Sequence, residues 1–172
     1  MLSLSNTQLK RYLEYGYVVV ESPIDPNKFE LLIEEISKNI EEKSRELASR
    51  GNVAELYPDA PFSQRLALIY SSIVDREARN ELWRVCQGKH HKTAGMFAIW
   101  TDPELLSVVE EILGPEILAH PQYNLRAKLP NQDETVVPWH QDLALLEREA
   151  DDTFMVNFWI PLIDAPMETG AL

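Results

Sequence analysis

The chain is poor in cysteine, in positive charge and in long apolar runs, and each deficiency excludes a class of protein. Its 172 residues include one cysteine, Cys86, so no disulfide can form within the chain and a reducing compartment is expected. Lysine and arginine number 16 against 28 acidic residues. The resulting net charge of −12 argues against nucleic-acid and anionic-membrane partners, which require a basic patch. No apolar run approaches the length of a membrane span, so membrane insertion is not expected.

The composition is otherwise that of an ordinary folded domain. Hydrophobic residues make up 45% of the chain and charged residues 26%, close to the averages for globular proteins. The length suits one domain over residues 1–172 with a sizeable core. Residues 1–4 carry neither the charged nor the apolar block of a signal peptide, which together with the single cysteine predicts a cytoplasmic location.

Capping residues and apolar spacing predict helices in the first part of the chain. Helix starts are expected at Ser5, Asp25, Asp75 and Asp102. After Asp25 an apolar stripe predicts one face of a long helix, formed by Phe29, Leu32, Ile33, Ile36 and Ile40. The acidic and basic residues around it are interpreted as a solvated surface rather than a docking face. A short buried strand is predicted at residues 17–20.

The apolar period changes to two after about residue 117. Tyr123, Leu125 and Ala127 alternate with polar residues, which predicts a strand over residues 122–128. A second strand is predicted over residues 154–163. Helices first and antiparallel-looking strands later favour an α+β fold whose sheet belongs to a sandwich or barrel.

The segment His140-Gln141-Asp142 is the strongest chemical signal in the chain. A His and an Asp two residues apart on an extended strand project from the same face. They would supply two of the three ligands of the 2-His-1-carboxylate triad that holds non-haem Fe(II). The third ligand must come from elsewhere, because no His follows His140. Taken alone, the motif is more often a structural His beside a surface Asp. His90 and His91 are interpreted as a polar surface pair, and His120 as a structural residue.

Several segments in a fixed order make the signal more specific. They are residues 9–19 (LKRYLEYGYVV), Gly114-Pro115, Lys128 near Pro130, residues 139–142 (WHQD), residues 159–162 (WIPL) and residues 168–172 (ETGAL). In this order the chain resembles the phytanoyl-CoA dioxygenase family of Fe(II)- and 2-oxoglutarate-dependent oxygenases. The resemblance implies a double-stranded β-helix, or jelly roll, with the N-terminal helices packed outside it.

The resemblance also implies roles for individual residues. His140 and Asp142 fall on the family's first two iron ligands. Trp159 and Asn124 match positions that line the 2-oxoglutarate pocket, although the residue type at the second position varies. By strand alternation, Asn157 shares the face of Trp159 and is expected beside the co-substrate.

The family has a further lysine that touches the co-substrate, and either Lys89 or Lys92 is its expected counterpart. The implied cofactor is Fe(II), with 2-oxoglutarate and O2 as co-substrates. The implied reaction is hydroxylation of a small organic or lipid-like substrate.

After its match to Gly170 the family continues into a distal iron His and an Arg that pairs with 2-oxoglutarate. The resemblance therefore predicts that the jelly roll is incomplete in this chain. A fragment of this kind is expected to bind metal weakly, to lack turnover, and to expose sheet edges that make it marginally stable.

Two alternatives remain open. One is a catalytically inactive jelly-roll binding module in which His140 and Asp142 persist without function. The other is a cupin-like metal-binding or isomerase fold, which needs further His or Glu ligands on neighbouring strands.

Overall fold

The computed structural model describes residues 3–21, 24–89, 91–120, 123–129, 138, 140–142, 146–150 and 152–169. The helices in this part of the chain are α1 (Asn6–Tyr15), α2 (Glu30–Ser49), α3 (Phe62–Ser72), α4 (Arg76–Arg84), α5 (Ala94–Trp100) and α6 (Pro103–Leu113). The strands are β1 (Gln87–Gly88) and β2 (Leu125–Arg126), and short 3-10 helices cover Pro26–Phe29, Arg148–Ala150 and Met167–Thr169. The described residues thus form an α+β arrangement that is mostly helical.

The predicted helix starts are confirmed by their hydrogen bonds. Ser5 and Gln8 form a reciprocal capping box at the start of α1. Asp75 accepts a hydrogen bond from the Ala78 amide at 2.7 Å and begins α4. Asp102 accepts from the Glu104 amide at 2.9 Å and begins α6. Asp25 instead begins the 3-10 turn that leads into α2.

Helix α2 is the centre of the packed core. Its buried residues are Leu32, Ile36, Ile40, Ser44 and Leu47, which recur every three or four positions and form one face, as the stripe predicted. This face packs against α3, α4 and α5. The core then extends through Ile69, Ile73 and Leu82 to Ile99.

Helix α5 comes unusually close to α2 at Gly95. A Cβ atom at this position would lie 2.6 Å from the Leu32 backbone nitrogen and 2.6 Å from Glu35 Oε2. The Glu35 carboxylate accepts from the Gly95 amide through both oxygens, at 3.2 and 3.1 Å. Glu35 is one of the acidic residues around the apolar stripe of α2, but it is half-buried and hydrogen-bonded to α5, so its interpretation as part of a solvated surface is wrong. Only glycine leaves room for the two backbones and this carboxylate.

The predicted strand at residues 122–128 is confirmed in its central part, and residue 122 lies outside the described residues. β2 pairs antiparallel with β1, with Leu125 opposite Gly88. Tyr123, Leu125 and Ala127 are half-buried, whereas the polar residues between them are exposed, as the alternation predicted. The Ala127 carbonyl accepts from Trp83 Nε1 at 3.2 Å and Gln87 Nε2 at 2.9 Å. These bonds dock the strand on the end of α4.

The other two predicted strands differ from the structure. Tyr17 and Val19 are 56% and 73% exposed, so residues 17–20 do not form a buried strand. Residues 154–163 also have no strand assignment. Among the described residues no backbone hydrogen bond involves this second segment, and a strand requires the N–H and C=O groups of a neighbour. An alternating apolar pattern within one segment does not determine whether a neighbouring strand is present to supply those groups.

Two strands of two residues do not amount to a jelly roll, which stays a prediction from the resemblance. The described residues also contain no helix that combines the length and the apolar character needed to cross a membrane.

Gly95→Ala should destabilise the protein by about 2–4 kcal/mol, because the new methyl group collides with the Leu32 backbone. Helix propensity alone predicts the opposite, a gain of about 1 kcal/mol. Urea unfolding measures the change. The matched control is Ala98→Gly at an exposed position of α5, where a loss of about 1 kcal/mol from propensity is expected. A Gly95→Ala variant as stable as the parent would contradict the close approach.

Asp102 couples stability to pH through Lys28. Burial alone raises the pKa of Asp102, but hydrogen bonds from Lys28 Nζ at 2.8 Å and from the Glu104 amide hold it below its ordinary value of 3.8. A lowered folded-state pKa stabilises the fold above pH 3.8, and this contribution is lost as the pH falls through the folded-state value. Asp102→Ala should destabilise by about 1–2 kcal/mol at pH 7, and Asp102→Asn by less, because an amide still caps α6.

The advantage of the parent over Asp102→Asn should shrink on acidification, which urea unfolding at pH 7 and at successively lower pH measures. The control is Asp25→Asn, because Asp25 caps a turn through the Asn27 amide without a cation partner among the described residues. An advantage that stayed constant down to the acid limit of folding would rule out the coupling.

Candidate metal centre

His140 and Asp142 are brought together in the structure. His140 Nε2 lies 3.2 Å from Asp142 Oδ1, and their side chains are 37% and 53% exposed. The segment has no strand assignment, so the shared orientation comes from a loop rather than from the predicted strand. Both side chains are therefore partly accessible to solvent.

The ring of His140 is oriented by its own backbone neighbourhood. Nδ1 lies 2.8 Å from the Pro138 carbonyl oxygen. Because a carbonyl can only accept, Nδ1 carries the hydrogen in this contact. Nε2 then either carries a second hydrogen toward Asp142 or presents a lone pair beside a carboxylate. Two lone pairs facing each other at this distance are the arrangement that a divalent cation stabilises.

The donor set fits a transition metal. Imidazole nitrogen together with a carboxylate oxygen is the ligand chemistry of Fe(II) oxygenase sites. The 3.2 Å between Nε2 and Oδ1 brings the two donor atoms close enough for one cation to meet both. Among the residues that the structure describes, no group of three or more His, Cys, Asp or Glu side chains converges on one point. The described part of the site therefore offers two potential ligands, His140 and Asp142.

Asn157 completes the environment of the carboxylate. Its Nδ2 donates a hydrogen bond of 2.8 Å to Asp142 Oδ2, the oxygen that does not face His140. Asn157 was predicted to lie beside the co-substrate, and that role stays a prediction. The sequence does not predict the contact with Asp142, because no local pattern pairs two residues fifteen positions apart. Hydrogen bonds to ligating carboxylates fix their orientation and raise metal affinity.

The other residues predicted to contact the co-substrate are exposed. Asn124 is exposed on the edge of β2, and Trp159 is 52% exposed. Neither forms a hydrogen bond with His140 or Asp142 among the described contacts. Lys89 and Lys92 are both exposed. The predicted residues Trp139, His90 and 170–172 lie outside the described residues.

Two other potential ligands have structural roles. His91 is 3% exposed, and its Nε2 lies 2.8 Å from the Val85 carbonyl, so its interpretation as half of a polar surface pair is wrong. The turn between β1 and α5 folds it inward. Burial raises the pKa of the Cys86 thiol to about 12, which keeps it protonated and unsuited to metal binding at neutral pH.

Comparison with known proteins supports the resemblance over most of the chain. The family model for phytanoyl-CoA dioxygenase (PhyH) matches residues 12–172, which includes His140, Asp142 and Trp159. No curated protein and no solved structure gives a significant match. The match covers far more than half of the sequence, so the chain belongs to the phytanoyl-CoA dioxygenase (PhyH) family.

Proposed function

We propose that this protein is an Fe(II)- and 2-oxoglutarate-dependent oxygenase that hydroxylates a small organic or lipid-like substrate. The observation that carries the proposal is the His140–Asp142 pair, in which Nε2 faces a carboxylate oxygen at 3.2 Å while Nδ1 is engaged by the Pro138 carbonyl. Family membership supports the same chemistry.

The residues of the pair hold the ion in a defined manner. His140 Nε2 and Asp142 Oδ1 are the two ligand atoms that this chain contributes. The Pro138 carbonyl selects the tautomer that leaves Nε2 free for a metal. Asn157 donates a hydrogen bond to Asp142 Oδ2 and would hold the carboxylate with Oδ1 turned toward a bound ion. When bound, Fe(II) supplies the redox chemistry that consumes 2-oxoglutarate and O2 and hydroxylates a C–H bond.

The third ligand is expected outside the described residues. No third His, Cys, Asp or Glu approaches the pair within the described part of the chain. The family resemblance puts a distal His and the carboxylate-binding Arg after the match to Gly170. We therefore propose that Fe(II) is bound tightly only when a third protein ligand of this kind joins His140 and Asp142.

The co-substrate surface is proposed to include Trp159, Asn124 and Asn157. Trp159 offers an indole N–H and an apolar ring, and the two amides can donate to carboxylate oxygens. All three side chains are exposed, so each is accessible to a small molecule. Either Lys89 or Lys92 is proposed as the further contact.

The proposed partner follows from the net charge of the chain, and the proposed location from its single cysteine. A net charge of −12 disfavours nucleic acid, and no membrane insertion is expected, so a small-molecule substrate is the proposed partner. The single, buried cysteine agrees with a proposed cytoplasmic location.

His140→Ala and Asp142→Ala should each lower succinate formation from 2-oxoglutarate by at least about 100-fold in the full natural chain, because each removes a ligand atom. Anaerobic calorimetry with Fe(II) should show the corresponding loss of metal binding. The matched control is His120→Ala, which removes another exposed histidine and should leave both readouts unchanged.

Thermal melting separates loss of a ligand from loss of the fold. Both ligand side chains are exposed, so the variants should melt within a few degrees of the parent. Full succinate formation in the double variant would refute the ligand assignment. Tight Fe(II) binding without any turnover in the natural chain would favour the inactive binding module instead.

Asn157→Leu should weaken Fe(II) binding by about tenfold and leave the fold intact, because it removes the hydrogen bond that orients Asp142. Thr153→Val, an exposed polar residue four positions earlier, is the control and should have no effect. An unchanged affinity in Asn157→Leu would show that the contact with Asp142 does not act on the metal.

A further inference from the structure

Apart from the candidate metal centre, the structure has a concave surface between α5 and Tyr123. It is a cleft of about 360 Å³ lined by Lys92, Thr93, Met96, Phe97, Trp100 and Tyr123. This volume is within the range of small-molecule sites. None of the six side chains is used by the proposed metal centre, although Lys92 is one of two candidates for a co-substrate contact.

The apolar walls of the cleft are held in place by the fold. Trp100 and Tyr123 meet with ring centres 6.2 Å apart at an angle of 58°. The Tyr123 hydroxyl donates a 2.7 Å hydrogen bond to the His91 carbonyl, which fixes the ring at its far end. Phe97 is 61% exposed at the rim, a large aromatic surface left to solvent. Such a preformed aromatic surface favours a flat apolar ligand.

The charge of the cleft is opposite to that of the chain. The chain has a net charge of −12, yet among the described residues that line the cleft none is acidic and Lys92 is the one charged side chain. Lys28, Lys43 and Arg65 form ion pairs, whereas Lys92 has no such partner among the described residues.

Thr93 adds a polar group next to this cation. Its Oγ1 accepts a hydrogen bond from the Met96 amide at 3.3 Å, so its hydroxyl hydrogen is available to a ligand. One cation and one hydroxyl donor beside an apolar surface form a site for an acid with an apolar body.

We propose that this cleft binds a monocarboxylic acid with a flat apolar body of about one or two fused rings. The carboxylate lies at Lys92 and Thr93, and the body lies against Trp100, Tyr123 and Phe97. A small polar dianion such as 2-oxoglutarate gains nothing from these aromatic walls. Binding of the acid to the cleft does not depend on the proposed function. Only the further assignment of this acid as the molecule that is hydroxylated rests on that function.

The test uses 2-naphthoate as the probe and 2-naphthalenemethanol as its uncharged counterpart, titrated into the metal-free protein by calorimetry. The acid should bind about tenfold more tightly than the alcohol, because a charged hydrogen bond to Lys92 is lost in the alcohol. Ligand-observed NMR competition with excess 2-oxoglutarate should leave the probe bound.

Two variants separate the charge from the apolar surface. Lys92→Met keeps the aliphatic stem and should weaken 2-naphthoate about tenfold without changing the alcohol. Phe97→Ala should weaken both probes several-fold, because it removes an aromatic wall. Lys10→Met, an exposed lysine of α1 that does not line the cleft, is the control and should change neither.

The outcomes are distinct from those of the metal experiments. Equal affinity for acid and alcohol, or an unchanged affinity in Lys92→Met, overturns the proposal. Displacement of the probe by 2-oxoglutarate also overturns it and would assign the cleft to the co-substrate. The measurement needs neither iron nor turnover, so a failed oxygenase assay leaves this result intact, and the reverse also holds.

Discussion

The structure depends on the close approach of α5 to α2 at Gly95. The absence of a side chain there lets the Glu35 carboxylate reach the Gly95 amide while the helix backbones nearly touch. This contact seats Ile99 in the core beside Leu32 and fixes where α5 begins. It also uses a charged residue in an unusual way, because Glu35 replaces water at a backbone amide rather than pairing with a cation.

The position of α5 determines the surfaces that follow. His91 lies shortly before α5. Its carbonyl accepts a hydrogen bond from the Tyr123 hydroxyl, and its ring Nε2 lies 2.8 Å from the Val85 carbonyl at the end of α4. Trp83 and Gln87 then hold the strand through the Ala127 carbonyl. A chain of hydrogen bonds thus connects the helical core to the segment that carries Asn124. The cleft is the space that this connection leaves between α5 and the strand.

The metal pair is built differently from the core. His140 is oriented by the carbonyl of Pro138, two residues away, so this part of the geometry is local. Asp142 is oriented by Asn157, which lies beyond the 3-10 turn at 148–150, so this part requires the chain to fold back. Both side chains remain partly exposed, at 37% and 53%.

The sequence by itself determined the features that arise within a few residues. Helix starts at Ser5, Asp75 and Asp102, the buried face of α2 and the alternation around Leu125 follow from local capping and periodicity, and all are confirmed. His140 and Asp142 do meet, but in a segment without the strand from which their spacing predicts it. Tertiary structure decided the rest. Residues 154–163 alternate like a strand, yet pairing needs a neighbour that spacing cannot specify. The packing at Gly95, the bond from Asn157 and the cleft beside Trp100 join residues far apart in sequence, and their geometry exists only once the core has placed them.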